Sequence, residues 1–158
     1  PNLEHIEIFS DASHDYLDYD KDNNIFLHRK GATKLLPGNL FSDYKSWSIT
    51  GKPYIFPSCV GGDAYIISNN IGNPNSYFTV SHGAGRLIRK DIAIDLYKNK
   101  KIDNTMMHKI KLFRYGIDQI EGQNPLAFKN IDKILNTLQI FNLGYPITKL
   151  NPIASLKA

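Results

Sequence analysis

The chain has 158 residues, which suits one domain with its own core and is short for two. Hydrophobic residues make up 42% and charged residues 22%, which excludes a disordered composition. No apolar run is long enough to cross a bilayer, so we expect no membrane partner. The net charge of +4 permits a polyanionic partner, although lysines on a solvated face give the same total.

Cys59 is the single cysteine, so no intrachain disulfide can form, and a lone thiol favours a reducing compartment. Residues 1–10 lack both an initiator Met and the layout of a secretory signal. We therefore expect a cytoplasmic protein whose chain is either processed or cut from a longer one.

In the first third of the chain, short apolar runs alternate with polar loops. We predict a strand over residues 3–9, where apolar residues alternate. The aspartate-rich residues 10–24 are expected to be loop-rich. A short strand is predicted over residues 25–28, leading into a turn at residues 29–31. Residues 37–52 have Pro and Gly at their ends and are expected to be irregular.

The middle of the chain predicts three more strands. Residues 54–56 and 64–67 are apolar runs of strand length, separated by the pair Gly61 and Gly62. Residues 69–76 are rich in Asn, Gly and Pro, so they predict a turn before a strand at residues 77–80.

The last part of the chain has helical periodicity. Ile88, Ile92 and Leu96 recur at helical spacing, which predicts an amphipathic helix from residue 85 to about residue 98 with these side chains buried. A second helix is predicted over residues 131–141, followed by an extended segment over residues 146–157. Its inward residues are expected to be Ile131, Ile134, Leu135 and Leu138. We predict one α+β domain over residues 1–158, with mixed or antiparallel sheets and a few helices.

Residues 81–86, Ser-His-Gly-Ala-Gly-Arg, suggest a binding or catalytic site. Small residues after His82 let a ligand approach the backbone closely, and the start of the predicted helix would favour a phosphate. Arg86, Arg89 and Lys90 add positive charge nearby. A histidine held there could bind an anion, donate a proton or attack a phosphorus atom. The spacing fits equally well a glycine-rich turn before a helix with solvated basic residues.

Two further clusters lie earlier in the chain. Residues 28–33 place three potential cations beside a flexible turn, which suits either a phosphate or a simple basic hairpin, and they lack the Walker A spacing. Residues 11–15 flank His14 with carboxylates, an arrangement found in metal sites, but a metal centre needs three or more ligands. His5 and His108 are isolated and are expected to be structural or exposed.

Taken in chain order, these clusters resemble the RtcB family of GTP-dependent RNA ligases. The family's His-Arg-Lys-Gly-Ala-Thr segment is complete at residues 28–33, and its His-Gly-Ala-Gly-Arg segment is complete at residues 82–86. Residues 11–15 resemble its Asp-x-x-His-Asn segment. Residues 57–61 resemble its Pro-Gly-Ser-Met-Gly loop, and residues 152–158 resemble its carboxy-terminal tail with a penultimate lysine.

The resemblance implies an RtcB-like catalytic portion of an enzyme that uses GTP and Mn²⁺. Such a ligase joins RNA 2′,3′-cyclic phosphate or 3′-phosphate ends to 5′-hydroxyl ends, as between tRNA halves, through GMP held on His82. His14 would be a Mn²⁺ ligand. Nucleotide contacts would come from Cys59, Ala84, Phe128 and Lys157, and contacts with RNA or phosphate from Lys30, Arg86 and Lys90.

Several positions depart from the family pattern. Asp15 stands in place of an asparagine, Cys59 and Ala64 in place of serines, and Phe128 in place of a tyrosine. Arg89 and Lys90 follow the His-Gly-Ala-Gly-Arg segment where the family has Ser-Arg. The family's amino-terminal half, which supplies an Asp, a Cys and two His of the metal site, is absent from this sequence.

Three interpretations follow. In the first, the chain is a ligase portion whose missing half is either supplied by another polypeptide or has been removed, and a broad apolar surface is expected where that half docks. In the second, it is a non-catalytic relative that keeps the RNA- and nucleotide-binding face. In the third, it is an unrelated basic interaction domain, and retention of His82, Arg86, Lys30 and Lys157 in family order argues against this.

Overall fold

A computed structural model describes residues 10–43, 45–99, 110–114 and 120–157, and of Arg114, Leu156 and Lys157 it describes the backbone alone. The strand predicted over residues 3–9, together with His5 and His108, lies outside the described residues. Within them the chain forms nine strands and three α-helices. The strands make four small sheets, of which three are antiparallel and one is parallel. The predicted α+β class with mixed sheets is confirmed.

A β-hairpin opens the described part of the chain. β1 (Asp15–Asp20) pairs with β2 (Ile25–Lys30) in antiparallel register, with Asp15 opposite Lys30 at the open end. At the closed end the Asp20 carboxylate accepts backbone N–H bonds from Asp22 and Asn23. The prediction that residues 10–24 are loop-rich is therefore wrong for residues 15–20, whereas residues 21–24 form the expected turn. Asp18 is held inside the hairpin by Arg29 of β2 and by Lys34 of the following strand, a long-range pairing that composition does not reveal.

The remaining sheets are short. β3 (Ala32–Lys34) pairs with β6 (Thr79–Ser81), and β4 (Tyr54–Phe56), β5 (Ala64–Ser68) and β8 (Tyr145–Leu150) form a three-stranded sheet. β7 (Lys111–Arg114) and β9 (Ala154–Lys157) run parallel. The strands predicted over residues 25–28, 54–56 and 64–67 are confirmed. The extended segment predicted over residues 146–157 is divided into β8 and β9 by residues 151–153.

The main core lies between the three-stranded sheet and helix α3 (Ile131–Ile140). The Asn130 side chain accepts the Lys133 N–H and caps this helix, as asparagine does at a helix start. Ile131, Leu135 and Leu138 are buried against Phe56 and Ile67, and Ile134 is half-buried beside them. The predicted second helix and its inward face are confirmed.

Helix α2 spans Lys90–Lys98 and begins five residues later than predicted. Residues 85–88 pair instead with residues 127–129: Leu87 and Ile88 both donate their N–H to the Ala127 carbonyl, and Lys129 donates to Gly85. Because the Gly85 carbonyl accepts from Lys129 and Gly85 has φ of +70°, a helix cannot begin at this residue. The predicted stripe is also wrong, since Ile92 is 46% exposed and Ala93 is the buried residue.

Two more local predictions change. The strand predicted over residues 77–80 begins later because Tyr77 and Phe78 both have positive φ, 52° and 54°, which an extended strand does not allow. The stretch expected to be irregular over residues 37–52 contains helix α1 (Lys45–Thr50). No helix of the described part is long and apolar enough to cross a membrane.

Candidate active site

The open end of the hairpin meets the end of β6 at two histidines. Gly31 follows β2 with φ of +61°, donates its N–H to the His14 carbonyl at 3.0 Å, and accepts the His82 N–H at 3.0 Å. These bonds hold the His14 and His82 rings with centroids 4.9 Å apart and planes inclined at 61°. A Cβ at Gly31 would lie 3.8 Å from the His14 ring, an ordinary contact distance, so it is the positive φ of the turn that favours glycine here.

His82 is half-buried and held from several sides. The Tyr54 hydroxyl donates to the His82 carbonyl at 2.6 Å, and the His82 ring bonds to the Ala12 backbone. Burial lowers the pKa of His82 and the nearby His14 lowers it further, while the Ala12 bond and the Asp15 charge act in the opposite direction. The net effect favours the neutral imidazole, which is the form that can act as a nucleophile.

Asp15 links His14 to Lys30. His14 Nδ1 lies 2.9 Å from one carboxylate oxygen of Asp15, and Lys30 Nζ donates to the other at 3.0 Å. The bond from Lys30 is the main cause that lowers the pKa of Asp15, and bonding to His14 adds to it. The negative charge at Asp15, where the family has an asparagine, is therefore balanced by Lys30 within the site.

The three cations predicted at residues 28–30 are not equivalent. Lys30 lies at the site with its side chain 74% exposed, and His28, two residues earlier on β2, is also exposed. Arg29 is 3% exposed and points to the opposite face of the hairpin. The expectation that all three suit a phosphate is therefore wrong for Arg29, because strand alternation places it inside.

A second group of predicted residues lies around a cavity of about 710 Å³ between the loop at residues 58–63 and residues 125–134. Cys59 and Phe128 both line it, together with Lys129 and Asp132. Cys59 is half-buried, and burial raises the pKa of its thiol. The two residues assigned to the nucleotide by resemblance, 69 positions apart in sequence, thus share one cavity.

Arg86 lies over the cavity residue Phe128, and both Arg86 and Lys90 contact Gly122. The Arg86 guanidinium lies over the Phe128 ring, 4.7 Å from its centroid, and donates to the Gly122 carbonyl at 2.7 Å. A Cβ on Gly122 would lie 2.7 Å from Lys90 Cγ, so the Lys90 stem packs against this glycine. Part of the binding capacity of Arg86 is therefore already used within the protein.

The small residues after His82 approach the protein's own backbone. A Cβ on Gly83 would lie 2.6 Å from the Pro57 carbonyl oxygen, and Ala84, 3% exposed, donates its N–H to the same oxygen at 3.0 Å. These contacts join the His82 segment to the loop that carries Cys59. The expectation that Gly83 leaves space for a ligand is therefore wrong.

The expected helix start behind His82 is also wrong, because α2 begins at Lys90. The N–H groups that follow His82 lie in an irregular segment, so the helix-terminus contribution to phosphate binding does not apply at this histidine.

Metal ligands are sparse in the described part of the chain. It contains no group of three or more His, Cys, Asp or Glu side chains that could hold a metal ion. His14 is exposed and could offer one ring nitrogen, but Asp15 beside it is bonded to Lys30. The described residues therefore do not fit a complete Mn²⁺ site by themselves.

The sequence interpretation missed one contributor, Tyr54. In the sequence Tyr54 is recognisable only as part of an apolar strand, because its bond to the His82 carbonyl joins residues 28 positions apart.

Lys157 lies in β9 beside Arg114, and its side chain is outside the described part, so its predicted nucleotide contact stays a prediction.

Residues 2–158 match the RtcB family, described as tRNA-splicing ligase RtcB. The chain belongs to the RtcB family.

Among its relatives is the RNA-splicing ligase RtcB of Mycobacterium tuberculosis, 26% identical over 136 residues, which are 85% of this chain and 31% of the relative. The tRNA-splicing ligase RtcB of Aeropyrum pernix is 26% identical over 166 aligned positions, covering 96% of this chain and 33% of the relative. That of Pyrococcus horikoshii is 24% identical over 135 positions, covering 84% and 16%. The chain spans about a third or less of the length of these relatives.

Proposed function

We propose that this chain is the nucleophile-bearing portion of an RtcB-type RNA ligase, with His82 as the residue that carries GMP. The observation that carries the proposal is the half-buried His82 ring held 4.9 Å from the His14 ring, within a chain of the RtcB family. The proposed reaction joins RNA 3′-phosphate ends to 5′-hydroxyl ends. A 2′,3′-cyclic phosphate end is first opened by water to the 3′-phosphate.

His82 suits the first step because its ring is oriented and neutral. The bond between the ring and the Ala12 backbone raises the pKa of His82, as a bond donated by a ring N–H does, so we propose that this nitrogen carries the proton and the other keeps its lone pair. That nitrogen attacks the α-phosphorus of GTP, so that a P–N bond forms and pyrophosphate leaves. An oxygen of the RNA 3′-phosphate then takes the GMP, and the P–N bond breaks. The 5′-hydroxyl finally attacks the activated RNA phosphate, and GMP departs.

The cavity lined by Cys59 and Phe128 is the proposed place for the guanine nucleotide. Its volume of about 710 Å³ lies within the usual range for small-molecule sites. Phe128 offers an aromatic ring on which a base could stack, and Arg86 fixes that ring from one side. Lys30, Lys90 and the remaining donors of Arg86 are proposed to meet phosphates of the nucleotide or RNA, Ala84 to contact the nucleotide, and Lys157 to reach the guanine.

Mn²⁺ would neutralise phosphate charge during both transfers, and His14 is proposed as one of its ligands. Since the described residues do not form a complete metal site, the remaining ligands must come from polypeptide outside them. Large apolar side chains on the surface support such an additional segment: Ile153 is 86% exposed, Leu87 70% and Phe26 68%. The predicted cytoplasmic location stays a prediction.

A second candidate is a non-catalytic RNA- and nucleotide-binding relative. The specific observation in its favour is the Asp15–Lys30 ion pair, because it places a carboxylate beside His14 and occupies the exposed lysine. This candidate binds RNA through phosphates, so its affinity falls steeply as salt rises, and it forms no joined product.

The test combines the purified chain with GTP, MnCl₂ and two RNA strands ending in a 3′-phosphate and a 5′-hydroxyl. The reaction is run with and without a polypeptide that carries the remaining two thirds of an RtcB relative. We expect joined RNA when the second polypeptide is present, and none when the acceptor strand carries a 5′-phosphate instead. Salt-sensitive RNA binding without any joined product, with every complement tried, would reject the ligase in favour of the second candidate.

A further inference from the structure

Arg29 forms hydrogen bonds with separate segments of the chain. Its Nε donates to Thr79 Oγ1 at 3.0 Å, its Nη1 donates to Asp18 Oδ2 at 3.0 Å, and its Nη2 donates to the Tyr77 carbonyl at 2.9 Å. The guanidinium also lies 5.5 Å from the centroid of the Tyr16 ring. At 3% exposure it is buried, and all of these contacts are within the protein. A planar fork with several donors suits this task, and a single ammonium group does not.

The segments that Arg29 joins are those that carry the two histidines. Asp18 and Tyr16 belong to β1, which begins immediately after His14, whereas Thr79 belongs to β6, which ends immediately before His82. Arg29 itself lies on β2. Its bonds to β1 and β6 therefore fix the hairpin against the strand that leads to His82.

The connection on the other side of the histidines is a single glycine. Gly31 alone separates β2 from β3, and its φ of +61° is a conformation that glycine adopts without strain. Rotation about the backbone bonds of Gly31 would move the hairpin, and with it His14, relative to β6. The Lys34–Asp18 ion pair at 2.7 Å also links β3 to β1, and it uses the same carboxylate that Arg29 binds.

Arg29 also stabilises a turn whose backbone angles are unfavourable. Tyr77 and Phe78 have consecutive positive φ values of 52° and 54°, which side chains other than glycine rarely adopt. The Tyr77 carbonyl accepts from Arg29, and the Phe78 carbonyl accepts from Leu35. The turn that sets the start of β6 is thus fixed by a residue of the hairpin.

We propose that Arg29 is a positioning residue, which fixes the hairpin against β6 and thereby sets the separation of the His14 and His82 rings. It touches neither ring and acts through Asp18, Tyr77 and Thr79. The proposal goes beyond the ligase assignment, because it concerns the geometry of the two rings and holds whether or not the chain joins RNA.

The test uses nuclear Overhauser contacts between the imidazole protons of His14 and His82 in the full chain. Arg29→Lys keeps the charge but loses the fork. Thr79→Val removes one acceptor of Arg29, and with it the long bond from the Thr79 hydroxyl to the Tyr77 carbonyl (3.4 Å), while keeping the shape of the side chain. Thr137→Val, on the exposed side of α3, removes a comparable hydroxyl bond (Thr137 Oγ1 to the Lys133 carbonyl) away from the site and is the matched control. The thermal melting of each variant is measured alongside.

We expect Arg29→Lys and Thr79→Val to lose the contact between the rings while remaining folded at 25 °C, and Thr137→Val to keep it. Unchanged contacts in both site variants, with only a lower melting temperature, would overturn the proposal and leave Arg29 a purely structural residue. If Arg29→Lys does not fold, Thr79→Val decides the question alone. Failure of the ligase assay leaves this result unaffected, so the two hypotheses fail separately.

Discussion

At the scale of single residues, two glycines after His82 restrict substitution for different physical reasons. A Cβ at Gly83 would lie 2.6 Å from the Pro57 carbonyl oxygen, a backbone atom that must move to make room. Gly85 has φ of +70° but open space around its Cα, so a side chain there meets conformational strain alone. The segment is thus fixed by a backbone contact at one glycine and by a turn at the other.

We predict that Gly83→Ala destabilises the protein more than Gly85→Ala does. The second change should cost on the order of 1 kcal/mol, the usual penalty of a left-handed conformation for an L-residue. Urea unfolding of the two variants measures the difference directly. Equal losses would show that the loop at Pro57 yields easily and does not fix the His82 segment.

Phe128 is the residue for which the proposed nucleotide site makes the sharpest prediction. Removing its ring by Phe128→Ala should weaken GTP binding by about 1–3 kcal/mol, on the order of 5- to 150-fold in Kd, because a base loses its stacking surface. Phe141→Ala is the matched control, since Phe141 is 61% exposed at the far end of α3. Titration calorimetry with GTP gives both affinities. Equal affinities in the two variants would contradict the assignment of the cavity.

At the scale of elements, the β1–β2 hairpin depends on a partly buried ion pair between Arg29 and Asp18. The hydrogen bond from Lys34 is the main cause that keeps the pKa of Asp18 below its ordinary value, and Arg29 adds to it. A carboxyl whose pKa is lower in the folded state stabilises the fold above its unfolded pKa. That contribution is lost as pH falls through the folded value.

Asp18→Asn is therefore expected to lower the free energy of unfolding at pH 7 and to flatten its decline between pH 7 and pH 3. Urea unfolding across this range measures both quantities. Asp22→Asn in the exposed turn changes the net charge equally without touching Arg29 or Lys34, so it controls for charge alone. Identical slopes in the wild type and Asp18→Asn would contradict the role given to this carboxylate.

The elements that could be predicted from the sequence are those whose determinants are local. Helix α3 follows from the Asn130 cap and the spacing of Leu135 and Leu138, all within one segment. Residues 85–88 have the same kind of apolar spacing but form no helix, because Leu87 and Ile88 bond to Ala127 far along the chain. β1 was missed for a related reason: the partners that neutralise Asp18 lie on other strands.

At the scale of the whole molecule, the candidate site could be predicted only in part. Residue spacing gave no reason to place His14 beside His82 or Cys59 beside Phe128; the family resemblance predicted both groupings, and the fold brings both together. The burial of Arg29 was not predicted by either, because it depends on which face of the hairpin the rest of the chain covers.

The proposal as a whole rests on a covalent bond between GMP and His82. The most direct measurement is mass spectrometry of peptides from the chain after incubation with GTP, MnCl₂ and a complementing RtcB polypeptide, with the digest kept alkaline because phosphoramidates are acid-labile. We predict that the mass of GMP is added to the peptide containing His82, and that His82→Ala abolishes the addition. GMP on any other residue of this chain, or joined RNA without an adduct at His82, would contradict the proposal.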